Sequence, residues 1–226
     1  TLNNLAIVAW QRADYAAAEG YYRRALEIDE RRLEPDDPRL VAPLNNMGIV
    51  LRDQGKYEEA ERLQRRALAI AEKSLGPDHA DVASVLSSLA RLCGRQGRIA
   101  EGISLLERAL RIVRTAWGAG HPETGTTLVR LGDLERRAGH LERADRLIGE
   151  GRSVLAAALG EEHPRLVEAL TALGRLRRDQ HRGAQAAEAF RQAERIGVAA
   201  LGADHPDVAA VRAELASLAG ARPPSD

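Results

Sequence analysis

Four histidines recur at even intervals, His79, His121, His163 and His205, and a residue type so spaced could in principle bind a metal ion. Ligands must converge within about 2 Å of one ion. Like positions on successive helical units instead stand roughly 10 Å apart, the width of a helix, so the expected role is at helix starts, capping or packing a turn. Gly55-Lys56 is followed by Tyr57 where a phosphate-binding loop needs Ser or Thr, and no HExxH, GxSxG or GxGxxG pattern occurs. The acidic pair Glu58-Glu59 could do acid–base work, but it reads as the first turn of a helix, where the helix dipole favours carboxylates. The single cysteine, Cys93, allows neither an intrachain disulfide nor a CxxC pair. It falls on an apolar stripe and is expected to be buried and inert. No catalytic residue, no metal ligand and no cofactor is expected, and the chain is not read as an enzyme.

The composition narrows the elements that carry these residues. The chain has 226 residues, 44% apolar, with 33 basic and 33 acidic side chains, enough for a core and with no global field to draw in a polyanion. The longest apolar run, Val154 to Leu159, is six residues, too short for a bilayer. Neither nucleic acid nor membrane is an expected partner, and the expected location is cytoplasmic. Seven residues are Phe, Trp or Tyr while Ala and Leu abound, which favours helix over strand. Of the basic residues only Lys56 and Lys73 are lysine, a bias that suits bidentate carboxylate binding or follows from genome composition.

A repeat of 42 residues organises the chain. Leu2-Asn3-Asn4-Leu5-Ala6 returns as Leu44-Asn45-Asn46-Met47-Gly48, Leu86-Ser87-Ser88-Leu89-Ala90, Leu128-Val129-Arg130-Leu131-Gly132 and Leu170-Thr171-Ala172-Leu173-Gly174. Within a unit, Val82, Val85, Leu86, Leu89, Leu92 and Cys93 form the stripe of one amphipathic helix. Gly97 ends it. Ile103, Leu106, Leu110, Val113 and Trp117 form a second stripe before Gly118, and Trp117, in the Leu33 and Leu75 column, is expected in the core. His181, Gly183, Gly149, Gly151 and Gly197 depart from the pattern, and the last three are expected to weaken the second helices of units four and five. Asp207 to Leu218 repeats a first helix without a partner, as a cap would.

Leu44, Gly48, Tyr57, Ala60 and Ala67 fall at the spacing of the tetratricopeptide repeat (TPR), whose 34-residue unit is here lengthened by about eight residues. The 42-residue form, with LNNL-like, GKYEEAE-like and GPDHPDVA-like segments, resembles the TPR domain of kinesin light chain and its bacterial relatives. The resemblance implies an all-α, right-handed superhelical solenoid of about five hairpins plus a capping helix. Expected units are about 1–37, 38–79, 80–121, 122–163 and 164–205 with a cap at 206–219, as a single domain over 1–220, followed by a disordered tail at 221–226. Thr1 is not Met, so the chain is expected to be excised from a longer protein.

In that family certain first-helix positions line a concave face. In units two to five their charged members are Arg52, Arg91, Arg95, Arg130, Arg136, Arg137, Arg175 and Arg178 against Asp53, Asp133, Glu168 and Asp179, eight against four. Asn3, Asn4, Asn45 and Asn46 join them, and Trp10 is a further candidate platform. Asn pairs with both N–H and C=O of a peptide, and Arg grips a carboxylate through two parallel bonds. Kinesin light chain grooves bind acidic peptides, and the Asn46 and Asn4 position supports ligand binding in several TPR families. Ser88, Arg130 and Ala172 do not match it. The expected function is a protein-interaction scaffold holding an acidic peptide or partner segment. The alternative is a sensor or assembly arm of a larger bacterial signalling protein, working through its ends or convex side.

Overall fold

The computed structural model describes residues 1–220; the expected disordered tail, 221–226, lies outside them. They fall into two compact units, Thr1–Ala116 and the residues from Trp117 onward. The first contains α1 (Leu2–Gln11), α2 (Tyr15–Glu30), a 3-10 turn at Pro38–Leu40, α3 (Val41–Asp53), α4 (Tyr57–Leu75), α5 (Ala80–Arg95) and α6 (Ile99–Trp117), whose last residue opens the second unit. The second contains α7 (Pro122–Arg137), α8 (Leu141–Leu159), α9 (Leu166–Asp179), α10 (Gly183–Leu201) and the capping helix α11 (Pro206–Gly220). No strand occurs among the described residues.

Each hairpin turns on one residue in the left-handed region. Gly55, Gly97 and Gly139 hold φ of 80°, 77° and 88° there, and Ala13 and His181 take the same place at 59° and 60°. In the first unit α1 packs on α2 and α3 on α4, and the hairpins stack through α2 on α3 and α4 on α5. In the second, α7 packs on α8, α9 on α10, and α8 on α9, with α11 closing over α10.

The hairpins close on a small-against-large contact. A Cβ on Gly174 would stand 2.5 Å from the Phe190 ring, and Phe190 is wholly buried. Gln64 and Ile148 meet Gly48 and Gly132 in the same way. The glycines expected to weaken the second helices do not interrupt them: α8 and α10 run 19 residues without a break, as α4 does. A Cβ at Gly151 would lie 2.7 Å from the Gly125 carbonyl oxygen, so this glycine lets two backbones touch. Gly197 is buried against Val208. Nothing in the structure explains Gly149. Trp117 is also a correction: it is 43% exposed, in a column that is half-buried at Leu33, Leu75 and Leu159 and exposed again at Leu201. Its ring lies 4.9 Å from that of His121.

Candidate functional site

The first-helix wall of unit Thr1–Ala116 consists of α1, α3 and α5. The Trp10 indole N–H donates to Asp53 Oδ2 at 2.9 Å, tying α1 to α3. The other oxygen of Asp53 accepts from Arg52 Nε and Nη2 at 2.9 and 2.7 Å. Arg52 is only 3% exposed, and its Nη1 is buried without a hydrogen-bond partner. One face of α3 carries Asn45 seven residues earlier, 6% exposed, with an equally orphaned Oδ1. Asn3 Oδ1 on α1 is a third such atom. Asn46 is engaged by the Tyr22 hydroxyl, and Asn4 is exposed. On α5, Arg91 and Arg95 are exposed, and Arg91 makes a polar contact of its own.

The compact unit from Trp117 onward treats its arginines differently. Arg130 on α7 grips Glu168 on α9 through Nε and Nη2 at 3.1 and 3.2 Å. Arg136 reaches Asp133 at 3.0 Å and also Asp179 on α9. Arg175 and Arg178 both close on Glu214 of α11 at 2.6 Å. Burial by itself would raise the Glu214 carboxyl, but these two guanidiniums outweigh it and hold it below the usual range. Arg137 is exposed and engaged in a polar contact. These pairs join successive first helices, so the charge excess of the arginine column is met by carboxylates one repeat further on.

Two residues outside the sequence-derived set matter. Glu214 stands in the Asn46 column once the 42-residue register is carried into the cap, which is the signal that finds it. Glu135 occupies the Cys93 column, and a carboxylate in a column otherwise apolar in unit one is its signal. Its side chain is wholly buried, with Oε2 2.6 Å from His140 Nδ1 and Oε1 2.7 Å from Arg143 Nη1. The Arg143 contact is close enough for an ion pair but misses hydrogen-bond alignment, so Oε1 counts as unbonded. Cys93 is buried and reduced, and burial pushes its thiol up to about 11.

Three of the four histidines, His79, His121 and His205, directly precede a helix, and His163 stands in the turn before α9. Nδ1 of His79, His121 and His163 accepts from Asp81, Glu123 and Arg165 N–H at 3.2 Å, and that of His205 from Asp207 N–H at 3.1 Å. For His79, His121 and His205 the donor is an otherwise unpaired N–H of the first helical turn, and for His163 it is the N–H of Arg165, the residue before α9. No helix of the described residues is long and apolar enough to cross a membrane.

Helix hairpins stacked at constant register, with polar side chains on the wall of first helices, define an α-solenoid of the recognition-scaffold class. The tetratricopeptide repeat family matches residues 1–73, 39–115 and 81–153, and again 166–207, and the chain belongs to that family. It is thus a member of a protein–protein interaction scaffold family. The fold is similar to that of the kinesin light chain TPR-like repeats of Podosopora anserina, at 22% identity and TM-score 0.67, covering 88% of this chain and 94% of that one. It is also similar to BtubC (BKLC) from P. vanneervenii, at 20% identity and TM-score 0.60 over 96% and 94% of the two chains. A Rap protein complexed with Competence and Sporulation Factor aligns with TM-score 0.78 at 13% identity, over 96% of this chain and 61% of that one. No protein of curated function matches the sequence.

Proposed function

We propose that unit Thr1–Ala116 holds an extended segment of a partner protein along its first-helix wall, and that the segment carries a carboxylate. The observation that carries this reading is the set of orphaned buried atoms, Asn3 Oδ1, Asn45 Oδ1 and Arg52 Nη1. A buried polar atom without a partner costs about 1–3 kcal/mol. Once these side chains turn outward, an extended peptide supplies the missing complements, N–H for the two amide oxygens and a carbonyl or carboxylate for the guanidinium. Arg95, exposed at the end of α5, adds positive charge on the same wall. The Rap structure, solved with Competence and Sporulation Factor, supports the reading as a case of this fold holding a ligand. In unit two Arg130, Arg136, Arg175 and Arg178 are already bonded to carboxylates, and their role in this reading is to hold the first helices together.

The test is a titration with acidic and basic peptides at about 0.05 and 0.3 M salt, followed by Trp10 emission in a Trp117→Phe background. Acidic peptides bind preferentially and more weakly at the higher salt. Asn45→Leu raises the stability of the free chain by about 1 kcal/mol, since it removes an unsatisfied polar atom, and lowers peptide affinity. Arg95→Glu weakens binding of the acidic peptide alone. Equal affinity for both peptide charges, or unchanged binding by Asn45→Leu, sinks the proposal.

A further inference from the structure

The seams between second helices are not all closed in the same way. In unit Thr1–Ala116 the ion pairs Glu19–Lys56, Arg23–Glu59 and Glu30–Arg66 bridge the α2 hairpin to the α4 hairpin. The same columns one repeat on, Glu61–Arg98, Arg65–Glu101 and Glu72–Arg108, bridge the α4 hairpin to the α6 hairpin. Two repeats further these columns hold Asp145 and Arg182, Gly149 and Gln185, and Ala156 and Gln192. The last two couples cannot form ion pairs. Asp145 bonds instead to Arg177 of α9, at 2.6 and 3.0 Å.

The apolar layer at this seam changes too. Leu63, Leu105 and Leu147 stand in one column, and α10 has Ala189 there. A groove of about 280 Å³ lies at this place, lined by Leu170 and Leu173 of α9 and by Ala189, Gln185 and Gln192 of α10. Arg152 of α8 lines it as well, in a column that holds Leu26, Leu68 and Leu110 in the first unit. Arg152 is half-buried and bonds to no carboxylate among the described residues. The carboxylate in the lining, Glu188, pairs with Arg191 at 3.2 Å. The groove thus combines an apolar floor, two amides and a cation without a partner.

We propose that this groove among α8, α9 and α10 holds a segment of a partner protein in which a leucine adjoins a glutamate or aspartate. The leucine fills the place that Ala189 leaves open beside Leu170 and Leu173, and the carboxylate bonds to Arg152. Gln185 and Gln192 each offer a donor and an acceptor, the complement of a peptide group. Small-molecule sites enclose most of their ligand, whereas this groove is open to solvent, as suits a chain that continues beyond it. The site shares no residue with the Asn45 and Arg52 wall and does not rest on the function proposed for that wall.

The test is an NMR titration of the isotope-labelled whole chain with a short peptide, a central leucine and glutamate in a Gly/Ser background, following the side-chain amide signals of Gln185 and Gln192. Those signals shift saturably. Exchanging the peptide's leucine for alanine, or its glutamate for lysine, weakens binding about tenfold. Arg152→Gln removes the preference for glutamate over lysine. Glu188→Gln strengthens binding about threefold, since the peptide carboxylate then meets no like charge at the groove. Ala189→Leu restores the leucine of its column, leaves the helical circular dichroism intact and abolishes the shifts. Absence of shifts, equal affinity for the alanine or lysine peptide, or binding that survives Ala189→Leu would overturn the proposal. So would isovalerate binding as tightly as the peptide, by making a free carboxylate the occupant. Peptide capture at the Asn45 wall is read by Trp10 emission and is unaffected by Ala189→Leu, so the two proposals fail separately.

Discussion

At the scale of single residues, the turn positions show how far the backbone constrains the sequence. Three of the five inter-helix turns use glycine in the left-handed region, where an L-residue costs about 1 kcal/mol. Ala13 and His181 accept that strain at φ of 59° and 60°. His181 is exposed, so its side chain brings no burial to offset the cost. His181→Gly is accordingly expected to stabilise the chain by about 0.5–1 kcal/mol, read as a rise in the thermal or denaturant midpoint; the flexibility that glycine adds to the unfolded chain keeps the gain from being larger. An unchanged or lowered midpoint would mean that the ring has a role the contacts do not reveal. The departure of His181 from the glycine pattern was legible in the sequence, whereas the positive φ of Ala13 was not, since neither neighbour marks it as a turn except by its place in the 42-residue register.

At the scale of elements, the second helices of unit Thr1–Ala116 are joined by a charge cluster that the repeat copies once. Glu19 accepts from Arg23 and Lys56 at 2.7 Å each, and Arg23 reaches Glu59 at 3.3 Å. One repeat later Glu61 pairs with Arg65 and Arg98 at 2.7 and 2.6 Å, and Arg65 reaches Glu101 at 3.0 Å. Burial alone would raise the Glu19 carboxyl, yet the hydrogen bonds from Lys56 and Arg23 prevail and hold it at about 2; Glu61 is lowered in the same way by Arg98 and Arg65. A carboxyl depressed in the folded state contributes stability that is complete above its unfolded value, about 4.3, and lost as pH falls through the folded one. The chain is therefore expected to lose stability between about pH 4.3 and 2, and Glu19→Gln with Glu61→Gln to flatten that slope while lowering stability at neutral pH. A pH–melting series on both proteins decides it, and parallel slopes would remove these carboxylates as the cause. The members of each cluster were present in the sequence at offsets of 4, 36 and 37 residues, but only the rotation of one helix against the next brings those offsets together, and helical periodicity within a unit does not supply it.

At the scale of the whole chain, the register carries nearly all the fold: helix limits, turns and cap follow from residues that recur every 42 positions. What it hides is how each wall is used. The first-helix column that holds Arg52, with its orphaned Nη1, in one unit holds Arg136 and Arg178 in the other, each bonded to a carboxylate of another helix, because there the neighbouring first helix or cap offers an acidic residue. Sorting residues by column within a repeat finds the arginines, and reading the next repeat finds whether they are already satisfied. Most pairs in both units are at least partly open to solvent, as Arg130–Glu168 is at 24% and 44% side-chain exposure, and such pairs contribute about 0.2–1 kcal/mol each and are screened by salt. The formal charge of the chain is zero, so screening brings no compensating relief of net self-repulsion. Sodium chloride raised from about 0.02 to 0.5 M, where the screening length falls to a few ångströms, is therefore expected to lower the melting temperature by several degrees. Reversing one member, as in Arg130→Glu, is expected to lower it further at low salt than at high, since the like-charge repulsion from Glu168 is screened as well. A midpoint indifferent to salt in both proteins would assign the stacking to apolar contact alone and leave the inter-repeat ion pairs without energetic weight.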